Sequence, residues 1–529
     1  MGSSVKAVAS RLSVALLGAA ALSVASVPAV ADDVAALYQD KCASCHGADR
    51  FGLMGPALLP QNLKRLRKNK AAKVIANGRA ATQMPAFAEQ LNEAQIQSLV
   101  DYVYTPLAEV PEWGMEQMLA SRIVNHEPGS LPDEPVFEAD LMNLFLVVEI
   151  GDHHVTLLNG DTFEPIHRFK TRFALHGGPK YSPDGRYVYI TSRDGWISKF
   201  DIYNLKVVAE IRAGINSRNL AVSSDGRYAM VANYLPHNLV VLDTETMKPL
   251  KVIETIGKND EGVEISSRVS AVYNAPPRQS FIAALKDIKE VWEISYADEP
   301  SEDFAGWIHD YKNEKAANKP HEDFPTRKIP TRVFLDDFFF NQQYDLLFGA
   351  SRDGEALVMS MDARREYTQL ELSGMPHLGS GITWDYQGRP VMATPNIKEG
   401  LVSIVDMESF ETIKMIETEG PGFFMRSHEN SPYAWVDVFF GPNKDKVHII
   451  DKSTLEIVKT LKPSPGKTAA HVEFTKDGKY ALLSIWDMDG ELIIYDAKTF
   501  EEIKRLPMVK PSGKYNVWNK TRYSSGTSH

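Results

Sequence analysis

At 529 residues the chain exceeds what one small core can organise, so two or more domains are expected, one of them large. With 58 Lys and Arg against 69 Asp and Glu, the formal net charge of -11 excludes a general affinity for nucleic acid or for an anionic membrane surface, both of which demand clustered cations. Proteins and small molecules remain as partners.

The N-terminus has the pattern of an export signal: Lys6 and Arg11, an apolar run from Leu12 to Val27, then small residues at Ala29-Val30-Ala31. Residues 1–31 are therefore expected to be removed, the mature chain starting near Asp32 in the periplasm. The apolar run is shorter than the roughly 18 to 20 residues that span a bilayer, and no later stretch qualifies, so no membrane span is expected. Export permits disulfides, yet the only two cysteines are Cys42 and Cys45, followed at once by His46.

Cys42-Ala43-Ser44-Cys45-His46 fits covalent attachment of a c-type haem, two thiols bonding the macrocycle and the adjacent imidazole reaching its iron. A structural disulfide or half a zinc site is the alternative, but zinc would need further Cys or His ligands nearby and none appears. Met84, in Gln83-Met84-Pro85-Ala86-Phe87, is the candidate for the second axial ligand; Met54 is its competitor, lying closer to the attachment site in a Gly-rich loop. Ile96, Leu99, Val100 and Val103 recur at helical spacing after an acidic start, predicting a closing helix over Asn92 to Tyr104. Residues 33–105 resemble class I cytochromes c, a small all-α domain placed at 32–106.

Residues 107–135, opening on a Pro-containing stretch, read as a linker. From 136 the chain changes to short β-rich runs with internal repetition. Ser182-Pro183-Asp184-Gly185-Arg186-Tyr187 recurs at Ser223 to Tyr228 and at Thr475 to Tyr480, each a hairpin turn. A second series ends a strand in an aspartate: Val240 to Thr244, Ile404 to Glu408, Ile449 to Ser453 and Ile494 to Lys498. Its aspartates at 406, 451 and 496 lie 45 apart, the length of a four-stranded propeller blade. That period divides 136–529 into about eight blades; a pair of β-sandwiches is the alternative and does not repeat so regularly. Asp298 to Asp323, charged and poor in aliphatics, breaks the period as a surface insertion.

A propeller buries its ligand at the central channel. His176, before Gly177-Gly178-Pro179, and His377, within Gly374-Met375-Pro376-His377-Leu378-Gly379, are flanked by glycines that admit something bulky to the backbone. Pattern alone leaves each open as ligand or core residue.

Over residues 33–529 the chain resembles the cytochrome cd1 nitrite reductase family, in which a c-haem domain precedes an eight-bladed propeller carrying non-covalent haem d1. The resemblance rests on Pro111-Glu112-Trp113-Gly114-Met115, the His176 segment, the Met-Pro-His segment at 377 and Gly513-Lys514-Tyr515-Asn516-Val517. The reductase places two histidines over its haem d1 to supply protons to nitrite; here the corresponding segment reads Phe281-Ile282-Ala283-Ala284-Leu285-Lys286-Asp287, without histidine. His176 to Lys180, Pro421 to His428, Lys467 to Phe474 and Gly526 to His529 are instead similar to the biosynthetic branch of the family, the dihydro-haem d1 dehydrogenases, which convert a propionate of the precursor to the acrylate of haem d1. A propeller-only relative of that pathway, NirF, lacks the Cys42 to His46 motif.

This resemblance implies an oxidoreductase with covalent haem c as electron outlet and dihydro-haem d1 as substrate, passing electrons to a soluble periplasmic acceptor, with NirF and nitrite reductase as partners in haem d1 transfer during denitrification. It implies His176 as proximal and His377 as distal ligand of the d1 iron. His471 is the candidate base, an imidazole suiting proton transfer near neutrality; Tyr515 is the second choice or a relay, and His428 the alternative. Arg172, Arg193 and Arg218 are candidates to pair the tetrapyrrole's carboxylates, with Tyr234 and Trp486 as pocket wall. A nitrite reductase and a non-catalytic haem d1 carrier are the competing readings.

Overall fold

The computed structural model describes residues 29–522 apart from 54, 64–65, 80–83, 110–111, 173–174, 176–177, 300–321 and 352. The apolar run of the expected signal, Met54, His176, most of the 298–323 insertion and the terminal Gly526 to His529 lie outside the described residues.

Ala29–Lys41 and Lys68–Asn77 both pack on Glu93–Val103 around a core of Tyr38, Leu63, Phe87, Leu91, Ile96, Leu99 and Val103. The closing helix forms where its apolar spacing predicts. Its start is set by Asn92, whose side chain accepts the Gln95 N–H while the Gln95 side chain accepts the Asn92 N–H, a reciprocal capping box.

Among the described residues eight antiparallel sheets, seven of four strands and one of five, then form a ring, so the sandwich alternative falls. Numbering blades from the ring's closure, blade 1 is Leu144–Glu149, His154–Asn159 and Pro165–Lys170, completed on its inner side by the C-terminal strand Pro511–Asn516. The innermost strands of blades 2 to 8 are Lys180–Tyr181, Asn216–Val222, Val269–Ala275, Asp337–Phe340, Ile382–Tyr386, Met425–Ser427 and Ala469–Phe474. The 298–323 insertion falls inside blade 4, between Glu290–Ser295 and Thr326–Pro330.

Both sequence repeats have a physical cause. In the Ser182, Ser223 and Thr475 turns the hydroxyl donates to the aspartate two residues on and accepts the N–H of the following tyrosine, while Gly185, Gly226 and Gly478 take φ of 77°, 75° and 74°. Asp406, Asp451 and Asp496 each accept two backbone N–H groups from the turn after a blade's third strand. The linker is less loose than its composition suggests: Met115–Ser121 is helical and Ile123–Val124 pairs with Ala209 and Glu210, widening blade 2 to five strands.

Candidate functional site

The first site is built on the turn Cys42 to His46. Neither cysteine is in a disulfide among the described residues, and the His46 N–H bonds the Cys42 carbonyl at 2.9 Å, so one helical turn gathers both sulfurs and the imidazole. Burial pushes the Cys42 thiol up to about 11 and holds the His46 imidazole below its ordinary value, hence neutral. Nδ1 of His46 lies 2.8 Å from the Pro56 carbonyl; a proton donated there leaves Nε2 as the atom that would ligate an iron. Gly55 abuts the ring, where a Cβ would stand 2.5 Å from His46 Cε1. Met84 is half-buried on the same core, its loop held by the Arg79 N–H on the Met84 carbonyl. Two neighbouring thiols outside any disulfide, a fixed tautomer and a glycine-walled imidazole fit a covalent haem.

This domain rests on the propeller. Ala57 and Leu59, just beyond the motif, share an apolar cluster with Ile215 and Leu235 of blade 3, bordered by Phe51, Leu107 and Trp113. Trp113 donates its indole N–H to the Arg212 carbonyl at 2.9 Å beneath the Arg212 guanidinium. Ile215 and the pair Phe423-Phe424 lead directly into inner strands, and His377 leads into one through the short turn Leu378–Ser380. The cytochrome therefore sits at the entrance end of the inner strands, where the second site begins.

There His377 contacts Phe423 through its ring and Phe423's backbone carbonyl, and Nε2 is 3.7 Å from Asp337 Oδ2. Burial lowers the His377 pKa, keeping the ring neutral and able to ligate. Phe424 lies 4.8 Å from the His471 ring, and His471 meets Tyr515 edge-on at 5.3 Å. Trp486 walls this group against Phe424 and Phe439 and donates to the Ser512 carbonyl at 2.6 Å. Four of the predicted residues, His377, His471, Tyr515 and Trp486, thus converge from blades 1, 6 and 8. One glycine of the His176 loop is accounted for: a Cβ on Gly178 would meet the Tyr515 ring at 2.8 Å.

His471 is fully enclosed, its pKa driven well below the ordinary value first by burial and then by Lys514 and Arg426, and its Nδ1 makes no hydrogen bond among the described residues. Burial raises the Tyr515 hydroxyl to about 12, so it remains a donor at neutral pH. Asp437 is pushed up to about 7 by burial.

The cations divide. Arg193 and Arg218 surround Tyr234 together with Lys286; burial lowers Arg193 to about 9, and these cations, overcoming burial, lower Tyr234 to about 7. Arg172 does not join them. Its guanidinium is spent on Glu210, with bonds of 3.0 and 2.8 Å, and stacks on Trp196 at 4.0 Å, so it is corrected to a structural tie that holds the connection between blades 1 and 2 onto the outer strands of blade 2. His428 likewise leaves the site: it follows the far end of the inner strand Met425–Ser427 and is wedged against Gly478 of the Thr475 to Tyr480 turn.

Sequence reasoning missed Asp437, Lys514, Arg426 and Lys180. Asp437 had a signal, an acid inside the apolar run Tyr433 to Phe440. Arg426 is buried with Nη1 lacking any hydrogen bond among the described residues, and burial lowers Lys180 to about 8. Desolvated cations of this kind are stabilised by an anionic ligand, and a polycarboxylate tetrapyrrole fits them.

A family model described as the cytochrome D1 heme domain matches residues 139–520, and one described as cytochrome C oxidase, cbb3-type, subunit III matches 29–103. The chain is 52% identical over 495 residues to the dihydro-heme d1 dehydrogenase of Pseudomonas aeruginosa, covering 93% of this chain and 95% of that one. It is 24% identical over 563 residues to a nitrite reductase of Stutzerimonas stutzeri, covering 95% and 96%. A solved structure of the dihydro-heme d1 dehydrogenase NirN in complex with DHE superposes with a TM-score of 0.78 at 52% identity, over 92% of this chain and 99% of that one.

Proposed function

Because the chain belongs to the cytochrome d1 haem domain family, we propose that it is a dihydro-haem d1 dehydrogenase, oxidising one propionate side chain of its tetrapyrrole substrate to an acrylate. The reaction removes two hydrogens: –CH2–CH2–COO⁻ becomes –CH=CH–COO⁻, with two protons and two electrons released. The observation that carries this reading is the docking of the cytochrome domain, through Ala57 and Leu59, at the end of the ring where His377, His471 and Tyr515 meet.

His471 takes the proton. Burial, and then its neighbours Lys514 and Arg426, depress its basicity, and a polyanionic substrate beside it offsets those charges and strengthens it as a base. Tyr515, protonated at neutral pH, donates a hydrogen bond to the substrate carboxylate or relays the proton. Arg193, Arg218 and Arg426 hold the carboxylates, with Tyr234 and Trp486 as walls. His377 keeps Nε2 for the substrate iron through the bond at its Nδ1, and His176 is the proposed ligand opposite. Cys42, Cys45, His46 and Met84 hold the haem c that, when bound, supplies a one-electron outlet.

The signal-like N-terminus supports a periplasmic protein handing electrons to a soluble acceptor there, within denitrification, and exchanging haem d1 with NirF and nitrite reductase. The segment Phe281 to Asp287, which presents Lys286 and no histidine, disfavours nitrite reduction, while the attached cytochrome disfavours a carrier without catalysis. Anaerobic incubation of the holoprotein with dihydro-haem d1 and an oxidised acceptor tests the reading. A product lighter by two hydrogens is expected; unchanged substrate alongside an intact c-type spectrum overturns it.

A further inference from the structure

We infer that Asp437 and Lys514 are positioning residues that grip the two ends of the His471 peptide and so aim its imidazole at the substrate. The inference rests on the reading of His471 as the base.

The inner strand of blade 8 is interrupted where it matters. Ala470 pairs with Ser484 and Val472 with Leu483, leaving His471 without a partner across the strand. Such a bulge re-aims a side chain and unpairs its own N–H and C=O. His471 adopts φ 56°, a left-handed conformation that a non-glycine residue holds only when its surroundings impose it.

Two buried ionisable side chains take the orphaned groups. The His471 N–H donates to Asp437 Oδ2 at 3.2 Å, and the His471 carbonyl accepts from Lys514 Nζ, itself anchored to Ser484 Oγ at 2.9 Å. The other oxygen of Asp437 accepts the N–H groups of Phe423 and Phe424 at 2.8 and 3.0 Å. One carboxylate therefore fixes the bulged histidine and the turn that touches His377, while the lysine precedes Tyr515 in sequence. Blades 1, 7 and 8 meet on the backbone of a single residue.

The grip also has an electrostatic face. The charged and titratable groups around the His471 imidazole are Lys514, Arg426 and Lys520 on one side of the balance and Asp437 and Glu473 on the other, with the Tyr515 hydroxyl neutral. Removing Lys514 removes a charge that disfavours imidazolium.

The test compares wild-type holoprotein with Asp437→Asn and Lys514→Met, using dihydro-haem d1 and an oxidised acceptor. Asparagine keeps the shape of Asp437 but presents an NH2 group either to the His471 N–H or to the Phe423 and Phe424 amides. Both variants should lose at least about ten-fold in kcat, within the range a misplaced general base costs, with KM and the spectrum of bound substrate changed by no more than about two-fold. In Lys514→Met the acid limb of the kcat profile should also move upward, by about one pH unit.

Variants that turn over within about two-fold of wild type overturn the inference, as does a parallel loss of kcat and substrate affinity, which would mark a collapsed pocket. Should Lys514→Met not accumulate, the isosteric Asp437→Asn decides by the same criteria. Failure of the wild type itself to convert substrate overturns the dehydrogenase reading and the role of His471 with it, whereas conversion by wild type and variants alike overturns only the grip.

Discussion

His377 donates its Nδ1–H to the carbonyl of Phe423 across 2.5 Å while the two rings stack at 4.2 Å, so one residue fixes both the tautomer and the plane of the imidazole. The two contributions separate by mutation. Phe423→Ala removes the stack but keeps the carbonyl, and should weaken dihydro-haem d1 binding by about 1 kcal/mol without altering the spectrum of the bound iron. His377→Ala should alter that spectrum. Optical titration of each variant checks both, and identical spectra for wild type and His377→Ala would remove His377 as a ligand.

Attachment of the first haem should be sensitive to a methyl group. Gly55→Ala places a carbon 2.5 Å from His46 Cε1 and 2.7 Å from Nδ1, so the ring must leave the Pro56 carbonyl. The reduced c-type spectrum should diminish or shift. Cys42→Ser with Cys45→Ser should abolish covalent haem and stop conversion while leaving dihydro-haem d1 binding intact; loss of that binding would show the two sites to be inseparable.

Two arginines with similar sequence surroundings should behave oppositely. Arg172→Ala strips the partner from Glu210 and should cost about 1–2 kcal/mol of stability, read as a lower denaturation midpoint, with substrate affinity unchanged. Arg426→Ala should weaken substrate binding about ten-fold or more, because its buried guanidinium has Nη1 available to a carboxylate. Equal effects on affinity would contradict the separation.

Acid should destabilise the fold well before its carboxylates titrate. Burial holds His428, His448 and His471 below the ordinary imidazole value. The unfolded chain then takes up protons first, so the stability these residues contribute is present above about pH 6.5 and is lost as pH falls below it. Asp437 works in the opposite sense: its folded pKa is raised to about 7, so its ionisation costs stability as pH rises toward that value. Denaturation midpoints between pH 5 and 8 should fall on the acid side, and more steeply in Asp437→Asn; a flat profile would contradict the neutral, enclosed histidines.

Much of this was legible in the chain because the responsible interactions are local. Cys42 to His46 close within one helical turn, and the blade period follows from hydroxyls and aspartates that cap their own turns two or three residues away. The choice between His428 and His471 was not legible in that way. His428 lies just past an inner strand and His471 within one, and what separates them is the bulge at Ala470/Val472 together with an acceptor, Asp437, contributed 34 residues upstream by the neighbouring blade. Arg172 was misjudged for the same reason, since Glu210 lies 38 residues downstream and becomes its neighbour only when blade 2 forms.

The strand Pro511–Asn516, which follows every other blade strand of the described residues, lies inside blade 1 beside Leu144–Glu149 and carries both Lys514 and Tyr515. A chain still emerging from the ribosome therefore has neither a sealed cavity nor its complete reactive chemistry. The macrocycle can be gripped only once this strand is in place, and a product truncated before Pro511 forfeits reactivity and annular integrity in one event.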